Sequence, residues 1–108
     1  MREPATSEQI EQMAETYFGL RIKLAVDVTQ EIIAGGGELH ADCEEILLEN
    51  GSQQQDVWGA DWFTQNKSVG FESLINIRPR QQNRSMEIQN PILRERIEKI
   101  VRRLLEVS

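Results

Sequence analysis

The chain has 108 residues, a hydrophobic content of 39% and a formal net charge of −6, and its length fits one domain and no more. One cysteine, Cys43, excludes an intrachain disulfide, and one histidine, His40, excludes sites that need two imidazoles. No apolar run approaches the roughly 20 residues of a membrane span, and residues 1–4 lack the apolar core of a secretion signal. We therefore expect a cytoplasmic protein without a membrane partner.

Positive and negative charges are sorted along the chain. Residues 1–54 hold 3 basic and 11 acidic side chains, whereas residues 55–108 hold 9 basic and 7 acidic. The segment 78–103 contains 8 basic side chains, of which 7 are arginines, against 3 acidic ones. Either the two halves attract each other in the fold, or the arginines form a local anion-binding face on an acidic protein. The net negative charge makes nucleic acid a less favoured partner.

Residues 1–5 are predicted to be a disordered tail, and residues 6–108 a single domain. Thr6 and Gln9 have the spacing of a capping box, in which each side chain bonds the backbone N–H of the other. The apolar residues that follow recur at helical spacing, which predicts a helix over about 7–18.

The next segment, residues 20–28, alternates apolar and polar side chains, which favours a half-buried strand. The alternation could continue to Ala34, where Gly35-Gly36-Gly37 would end it. A helical stripe is the competing interpretation of the same segment; it passes through Ile22, Ala25, Val26 and Ile33.

A second capping-box pattern predicts a short middle helix to about Asn50, with Asp42 as the N-cap and Glu45 at the third helical position. The alternative is a hairpin that turns at Asn50-Gly51.

Two strands and a helix are predicted after this point. Residues 57–63 are aromatic and strand-like, and residues 69–78 have the alternation of a partner strand whose pairing must weaken at Pro79. Asn90 and the proline after it are typical of a helix start, and the apolar stripe that follows predicts a helix over about 91–106.

These elements predict an α+β domain. Its small antiparallel sheet has about three strands, with the N-terminal, short middle and C-terminal helices packed on one face. The other sheet face would then stay open, which favours association with a second copy of the chain.

Two stretches carry a family resemblance. The first is Gly37-Glu38-Leu39-His40-Ala41-Asp42, and the second is Ile75-Asn76-Ile77-Arg78-Pro79 followed by Asn83-Arg84-Ser85. Together they resemble a prokaryotic family of short proteins of unknown function, and the resemblance covers the chain from about residue 20 to its end. It implies a self-standing cytosolic domain whose polar signature residues lie around His40 and residues 78–85. It implies no particular activity, cofactor or partner.

Glu38, His40 and Asp42 are the first candidate site. On an extended segment, alternate residues share a face, so the three side chains would converge. They could hold a divalent ion, or a carboxylate could orient His40 as a base. The competing interpretation is that Asp42 caps a helix and His40 makes a structural hydrogen bond. We predict no metal and no cofactor.

The arginine-rich segment is the second candidate site. Guanidinium groups bind phosphate or carboxylate with two parallel hydrogen bonds, and amide and hydroxyl groups add neutral donors. The alternative is that these arginines pair with carboxylates such as Glu44 and Glu45 inside the monomer. The candidate anion-binding residues are Arg78, Arg80, Asn83, Arg84 and Ser85.

Trp58 and Cys43 allow two interpretations each. Trp58, with Trp62, could stack on a base or ring, or both could fill the core. Cys43 could have a lowered pKa at a helix N-terminus, or it could be a buried thiol.

The residues together predict a non-catalytic binding or interaction module. Its arginine-rich surface would recognise an anion, and its partner would be a phosphate-bearing ligand or protein, or a second copy of the chain. The alternative is a small hydrolase or transferase that acts on an anionic substrate. There His40 would be the base, Asp42 or Glu38 would orient it, and Arg78 and Arg84 would hold the substrate.

Overall fold

The computed structural model describes residues 1–106; the last two residues of the predicted domain, 107 and 108, lie outside it. The described chain forms three α-helices, four β-strands and four single 3-10 turns. The helices are α1 (Ser7–Ala14), α2 (His40–Glu49) and α3 (Pro91–Leu105). The strands are β1 (Arg21–Asp27), β2 (Ile32–Gly35), β3 (Val57–Phe63) and β4 (Ser68–Gly70). The 3-10 turns are Glu15–Tyr17, Gln54–Asp56, Leu74–Asn76 and Pro79–Gln81. None of the described helices has the length and apolar character that crossing a bilayer requires.

The four strands form one antiparallel sheet in the order β2-β1-β3-β4. The predicted α+β class is therefore confirmed, with four strands instead of about three. In the central pair, Lys23 of β1 lies opposite Asp61 of β3, and Asp61 lies opposite Gly70 of β4.

Helices cover both faces of this sheet. On one face, Leu24 and Val26 of β1 pack in the main core with Ile97 and Leu104 of α3. On the other face, Ala25 packs in a second cluster with Cys43 and Leu47 of α2; that cluster also contains Ile32 and Val57. The expectation that all three helices share one face is therefore wrong. The reason is that β1 is buried on both faces over its last four residues, so it needs a second apolar layer.

Strand β1 ends in a tight turn, which the sequence-based expectation of one strand reaching Ala34 did not include. The Asp27 carboxylate accepts hydrogen bonds from the backbone N–H groups of Thr29 and Gln30, each at 2.9 Å. An aspartate that bonds the backbone two and three residues ahead is a turn-forming device. Glu31 then adopts a left-handed conformation with φ of 57°, and the chain returns as β2. The competing helical interpretation of this segment is wrong.

Helix α2 starts three residues earlier than predicted. Its N-cap is Leu39, and the Asp42 carboxylate accepts the Leu39 N–H at 3.1 Å from the third helical position. Asp42 thus performs the second half of a capping box instead of the first. The chain remains helical to Glu49, so the hairpin alternative is not adopted.

The predicted partner strand over 69–78 is shortened to Ser68–Gly70. Beyond it, the Asn76 side chain makes the two hydrogen bonds to β3 that the backbone of a paired strand would make. Its Oδ1 accepts the Gly59 N–H at 2.8 Å, and its Nδ2 donates to the Gly59 carbonyl at 3.0 Å. The segment also lies directly on Gly59, where a Cβ would be 2.6 Å from the Cβ of Ser73. The missing Cβ of Gly59 is what permits this approach.

The first five residues, expected to be a disordered tail, pack against the domain. The Ile33 N–H donates to the Met1 carbonyl at 3.1 Å at the edge of β2, and the Ala5 N–H donates to the Leu104 carbonyl at 2.7 Å. Ala5 is 3% exposed and belongs to the main core. An apolar contact and paired backbone groups hold this segment in place.

Both terminal helices begin as predicted. Gln9 and Thr6 make the reciprocal bonds of the capping box, although α1 ends at Ala14 and a 3-10 turn replaces its last predicted turn. The Asn90 side chain accepts the N–H groups of Ile92 and Leu93 at the start of α3.

Candidate functional site

Helix α2 covers only part of its sheet face, and a pocket of about 680 Å³ lies over the remainder. The start of α2 forms one wall. The segment after β4 forms the opposite wall, together with the residues just before α3. We call this the His40 pocket; its polar lining residues are Arg21, Lys23, His40, Asp61, Glu72, Ser73, Glu87 and Arg94. Its volume falls within the range of small-molecule sites in proteins.

His40 is bonded to β3 at the base of this pocket. Its Nε2 lies 3.0 Å from Oδ1 of Asp61 and 3.1 Å from the carbonyl oxygen of Ala60. Because a carbonyl oxygen only accepts, Nε2 must carry a proton. The side chains of His40 and Asp61 are 9% and 5% exposed, so this pair is screened little by solvent.

Arg21 bonds the same carboxylate oxygen. Its Nη2 lies 3.0 Å from Oδ1 of Asp61, and its guanidinium lies 5.2 Å from the ring centre of Tyr17 and 5.7 Å from that of Phe63. These ring contacts hold the guanidinium at the pocket edge. Its Nε is buried and has no acceptor within residues 1–106.

Lys23 and Arg94 supply the other two positive charges of the lining. The Lys23 ammonium lies 5.1 Å from the Tyr17 ring centre and has no carboxylate partner in the part of the chain that the structure describes. Arg94 is paired with Glu87 at 2.9 Å and lies over the Phe71 ring at 4.6 Å. Of the two, Lys23 is therefore the charge without a carboxylate partner.

The predicted convergence of Glu38, His40 and Asp42 does not occur. His40 is helical, so the three residues do not alternate on one extended face; Asp42 bonds the Leu39 N–H, and Glu38 is exposed. The partner of His40 is Asp61, which lies 21 residues further along and was missed. A charged residue inside an apolar strand was the available signal. Among residues 1–106, no three histidine, cysteine, aspartate or glutamate residues are grouped to hold a metal ion.

Arg78 is fixed inside the domain. Its Nε donates to the Ile75 carbonyl at 2.9 Å, Nη1 donates to the Gln54 carbonyl at 2.8 Å, and Nη2 bonds the Val57 carbonyl and lies 3.2 Å from Oε2 of Glu44. Burial lowers the pKa of Arg78, although the charge of Glu44 opposes this effect. Burial likewise raises the pKa of Glu44 against the attraction of Arg78.

Asn83 also serves the fold. Its Nδ2 donates to the carbonyls of Asn76, Ser85 and Glu87, and its Oδ1 accepts the Gln89 N–H at 2.9 Å. Ser85 bonds the Glu87 N–H through its hydroxyl. Asn83 thereby fixes the backbone of the segment that leads into α3.

Arg80 and Arg84 are exposed and form no hydrogen bond or ion pair within residues 1–106. Neither Arg78 nor Arg84 lines the His40 pocket, so the predicted sharing of one pocket with His40 is not found. Attraction between the two halves of the chain is also limited. Arg78–Glu44 is an ion pair that joins an acidic group of residues 1–54 to a basic group of residues 55–108, whereas Arg94, Lys99 and Arg102 pair with carboxylates of their own half.

Trp58 and Cys43 are core residues. Trp58 is 4% exposed, and the Arg78 guanidinium lies 4.6 Å from its ring centre, so its ring offers no free stacking face; Trp62 is equally buried. Cys43 is fully buried. Burial raises the pKa of its thiol, which supports the interpretation of a structural cysteine.

Fold and pocket together define a small α+β domain in which a four-stranded antiparallel sheet has a pocket over part of one face. Over residues 1–104 the chain matches the family model described as "Protein of unknown function (DUF5674)", and it belongs to that family. No curated protein and no solved structure matches the chain.

Proposed function

We propose that the domain is a non-catalytic binding module that recognises an anionic group in the His40 pocket. The observation that carries this proposal is the pairing of Arg21 and Lys23 on one side of the pocket. Lys23 has no carboxylate partner in the described chain, and Arg21 bonds one carboxylate oxygen through Nη2 alone. A cation without a carboxylate partner beside a guanidinium that has further N–H groups to donate, both at a concave surface, are the elements from which anion sites are built.

Asp61 and His40 fit this function as positioning residues. His40 bonds Asp61, and Asp61 bonds Arg21, so the guanidinium is held in one orientation before a ligand arrives. Such preorganisation reduces the entropy that binding must overcome. The net charge of −6 repels an approaching anion at long range. We therefore expect the affinity for an anion to come from short-range contacts inside the pocket.

The arginine-rich segment supports anion recognition through two residues only. Arg80 and Arg84 are exposed and unpaired within the described residues, so they are available to a phosphate-bearing ligand or protein. Arg78, Asn83 and Ser85 instead bond the chain itself. We therefore assign Arg80 and Arg84 to a secondary surface and the primary site to the His40 pocket. Self-association remains a proposal with less support, because α2 covers part of the sheet face that would have paired.

The test is an NMR titration of the ¹⁵N-labelled protein with acetate and with phosphate at low ionic strength. We expect saturable shifts of the amides of Lys23, Asp61 and Gly70, weakened by the Lys23→Gln variant and by added salt. Lys99→Gln is the matched control, because Lys99 lies on α3 outside the pocket. If acetate and phosphate leave these amides unshifted, the proposed anion site is absent. Shifts confined to residues 78–85 would place recognition on the secondary surface instead.

A small hydrolase or transferase is the second candidate, and the 3.0 Å contact between His40 and Asp61 favours it. A carboxylate that orients an imidazole is a common arrangement in acid–base catalysis. With Nε2 protonated, Nδ1 would be the nitrogen that accepts a proton.

The catalytic alternative predicts turnover of nitrophenyl phosphates or esters that His40→Asn abolishes without unfolding the domain. Asp61→Asn should lower the same activity less severely, because it removes only the orienting charge. Absence of turnover, or turnover that persists in His40→Asn, would leave the binding function alone.

A further inference from the structure

We propose that the ligand of the His40 pocket is a small amphipathic organic anion, with an apolar body and one terminal anionic group. This inference rests on the proposed function, since it names the class of ligand for that same site. It adds a requirement that anion binding alone does not have, namely that a hydrocarbon portion contributes to affinity.

The pocket has an unusually exposed apolar rim. Leu39, Leu74 and Met86 are 57%, 70% and 37% exposed, and all three line the pocket. They come from three separate segments: the residue before α2, the first 3-10 turn after β4, and the chain before α3. Exposed apolar side chains that converge from distant segments on one cavity mark a surface that a partner covers.

The pocket floor is also suited to an apolar body. Phe63 and Ile75 line it, and both are partly exposed. The Phe63 ring lies close over Gly70, where a Cβ would be 2.9 Å from it, so the absence of a side chain at Gly70 lets this ring lie flat on the sheet. Burying apolar ligand surface against such side chains contributes roughly 25 cal/mol per Å².

The cationic side chains of Arg21 and Lys23 lie on a different side of this pocket from Leu74. Arg21 and Lys23 are on β1, whereas Leu74 follows β4, and β3 lies between those two strands. A ligand with its anionic group at Lys23 and its body running across β3 toward Leu74 would satisfy both sides. An inorganic anion would fill the first side only, and a purely apolar ligand the second.

The experiment compares octanoate with acetate, octanol and octylammonium by NMR titration at concentrations below micelle formation. We expect octanoate to bind at least about tenfold more tightly than acetate, since its chain adds buried apolar area. Octanol should bind more weakly than octanoate, and octylammonium should not bind.

Two variants assign the gain to the two sides of the pocket. Leu74→Ser should weaken octanoate and leave acetate unchanged, and Lys23→Gln should weaken both. Ile92→Ser is the matched apolar control, because Ile92 is 77% exposed and lies outside the pocket. Leu74 and Ile92 are exposed, so the fold tolerates both serine substitutions, and an unchanged amide spectrum outside the pocket confirms that each variant is folded.

The outcomes separate this inference from the proposed function. If acetate binds at Lys23 and octanoate binds no more tightly, the amphipathic ligand is refuted while the anion site stands. The same conclusion follows if Ile92→Ser weakens octanoate as much as Leu74→Ser does. If neither acetate nor octanoate shifts the pocket amides, both proposals fail.

Discussion

Arg78 and Glu44 form a buried ion pair that fastens the segment after β4 to α2. Nη2 of Arg78 lies 3.2 Å from Oε2 of Glu44, and the two side chains are 11% and 12% exposed. The same guanidinium bonds the carbonyls of Ile75, Gln54 and Val57. The motif around Arg78 predicted an anion site, but the Arg78 side chain instead holds these parts of the fold together.

We expect Arg78→Ala to destabilise the domain by about 3 kcal/mol, because it leaves the Glu44 carboxylate and three carbonyls without a buried partner. The measurement is urea unfolding monitored by tryptophan fluorescence. Arg84→Ala, at an exposed and unpaired arginine, should change stability by less than about 0.5 kcal/mol. Equal effects of the two substitutions would show that the buried bonds of Arg78 do not stabilise the fold.

Asn76→Asp should destabilise the domain by about 2–4 kcal/mol although the two side chains have nearly the same shape. The Asn76 Nδ2 donates to the carbonyls of Gly59 and Phe71, and a carboxylate would place acceptors against acceptors. Urea midpoints at pH 7 measure the loss. Asn66→Asp is the control, because Asn66 is exposed and its Oδ1 accepts from Ser68. A small effect of Asn76→Asp would show that its amide is not needed.

Gly59→Ala should weaken folding because the added Cβ would lie 2.6 Å from the Cβ of Ser73. Overpacking of this kind costs about 1–3 kcal/mol. We expect the double variant Gly59→Ala/Ser73→Gly to regain part of the loss, which thermal unfolding can measure. A double variant less stable than the sum of the two single changes would argue against the steric origin.

Stability at low pH should depend on Asp27. Burial alone would raise the pKa of Asp27, but hydrogen bonds from Ser52, Gln30 and Thr29 outweigh it, and the pKa lies below its ordinary value. A carboxyl with a depressed pKa in the folded state contributes stability above its unfolded pKa of about 3.9, and this is lost as pH falls through the folded value. Asp27→Asn should therefore lose stability at pH 7 and show a smaller further loss below about pH 4. Urea midpoints across this range measure it, and Asp56→Asn should keep the wild-type profile.

Cys43 should resist thiol reagents in the native state. It is fully buried, and burial raises the pKa of its thiol, so little thiolate is present at neutral pH. We expect labelling by a disulfide reagent at pH 7.5 to follow the rate of unfolding and to become immediate in 6 M guanidinium. Fast labelling of the folded protein would show that the thiol is accessible.

Elements set by local signals were predicted well. The Thr6–Gln9 capping box and Asn90 are local hydrogen-bonding devices, and both start the helices that they indicate. The aromatic strand over 57–63 was placed at its exact bounds.

Elements that depend on distant contacts were missed. The segment after Gly70 is strand-like by alternation, yet Asn76 replaces a backbone neighbour of Gly59, 17 residues away. Asp61 is likewise the partner of His40 only because β3 pairs with β1 beside the start of α2. Alternation reports which side chains share a face, and it carries no information about which side chain will bond a given backbone group.

The alternation of β1 separates two kinds of substitution. Ile22, Leu24 and Val26 enter the main core, while Arg21 and Lys23 line the pocket on the opposite face. An engineer could therefore diversify Lys23 in a library without repacking the interior, whereas Arg21 also bonds the buried carboxylate of Asp61. Variants could then be selected for binding new compounds while Ile22, Leu24 and Val26, the core residues of the same strand, stay unchanged.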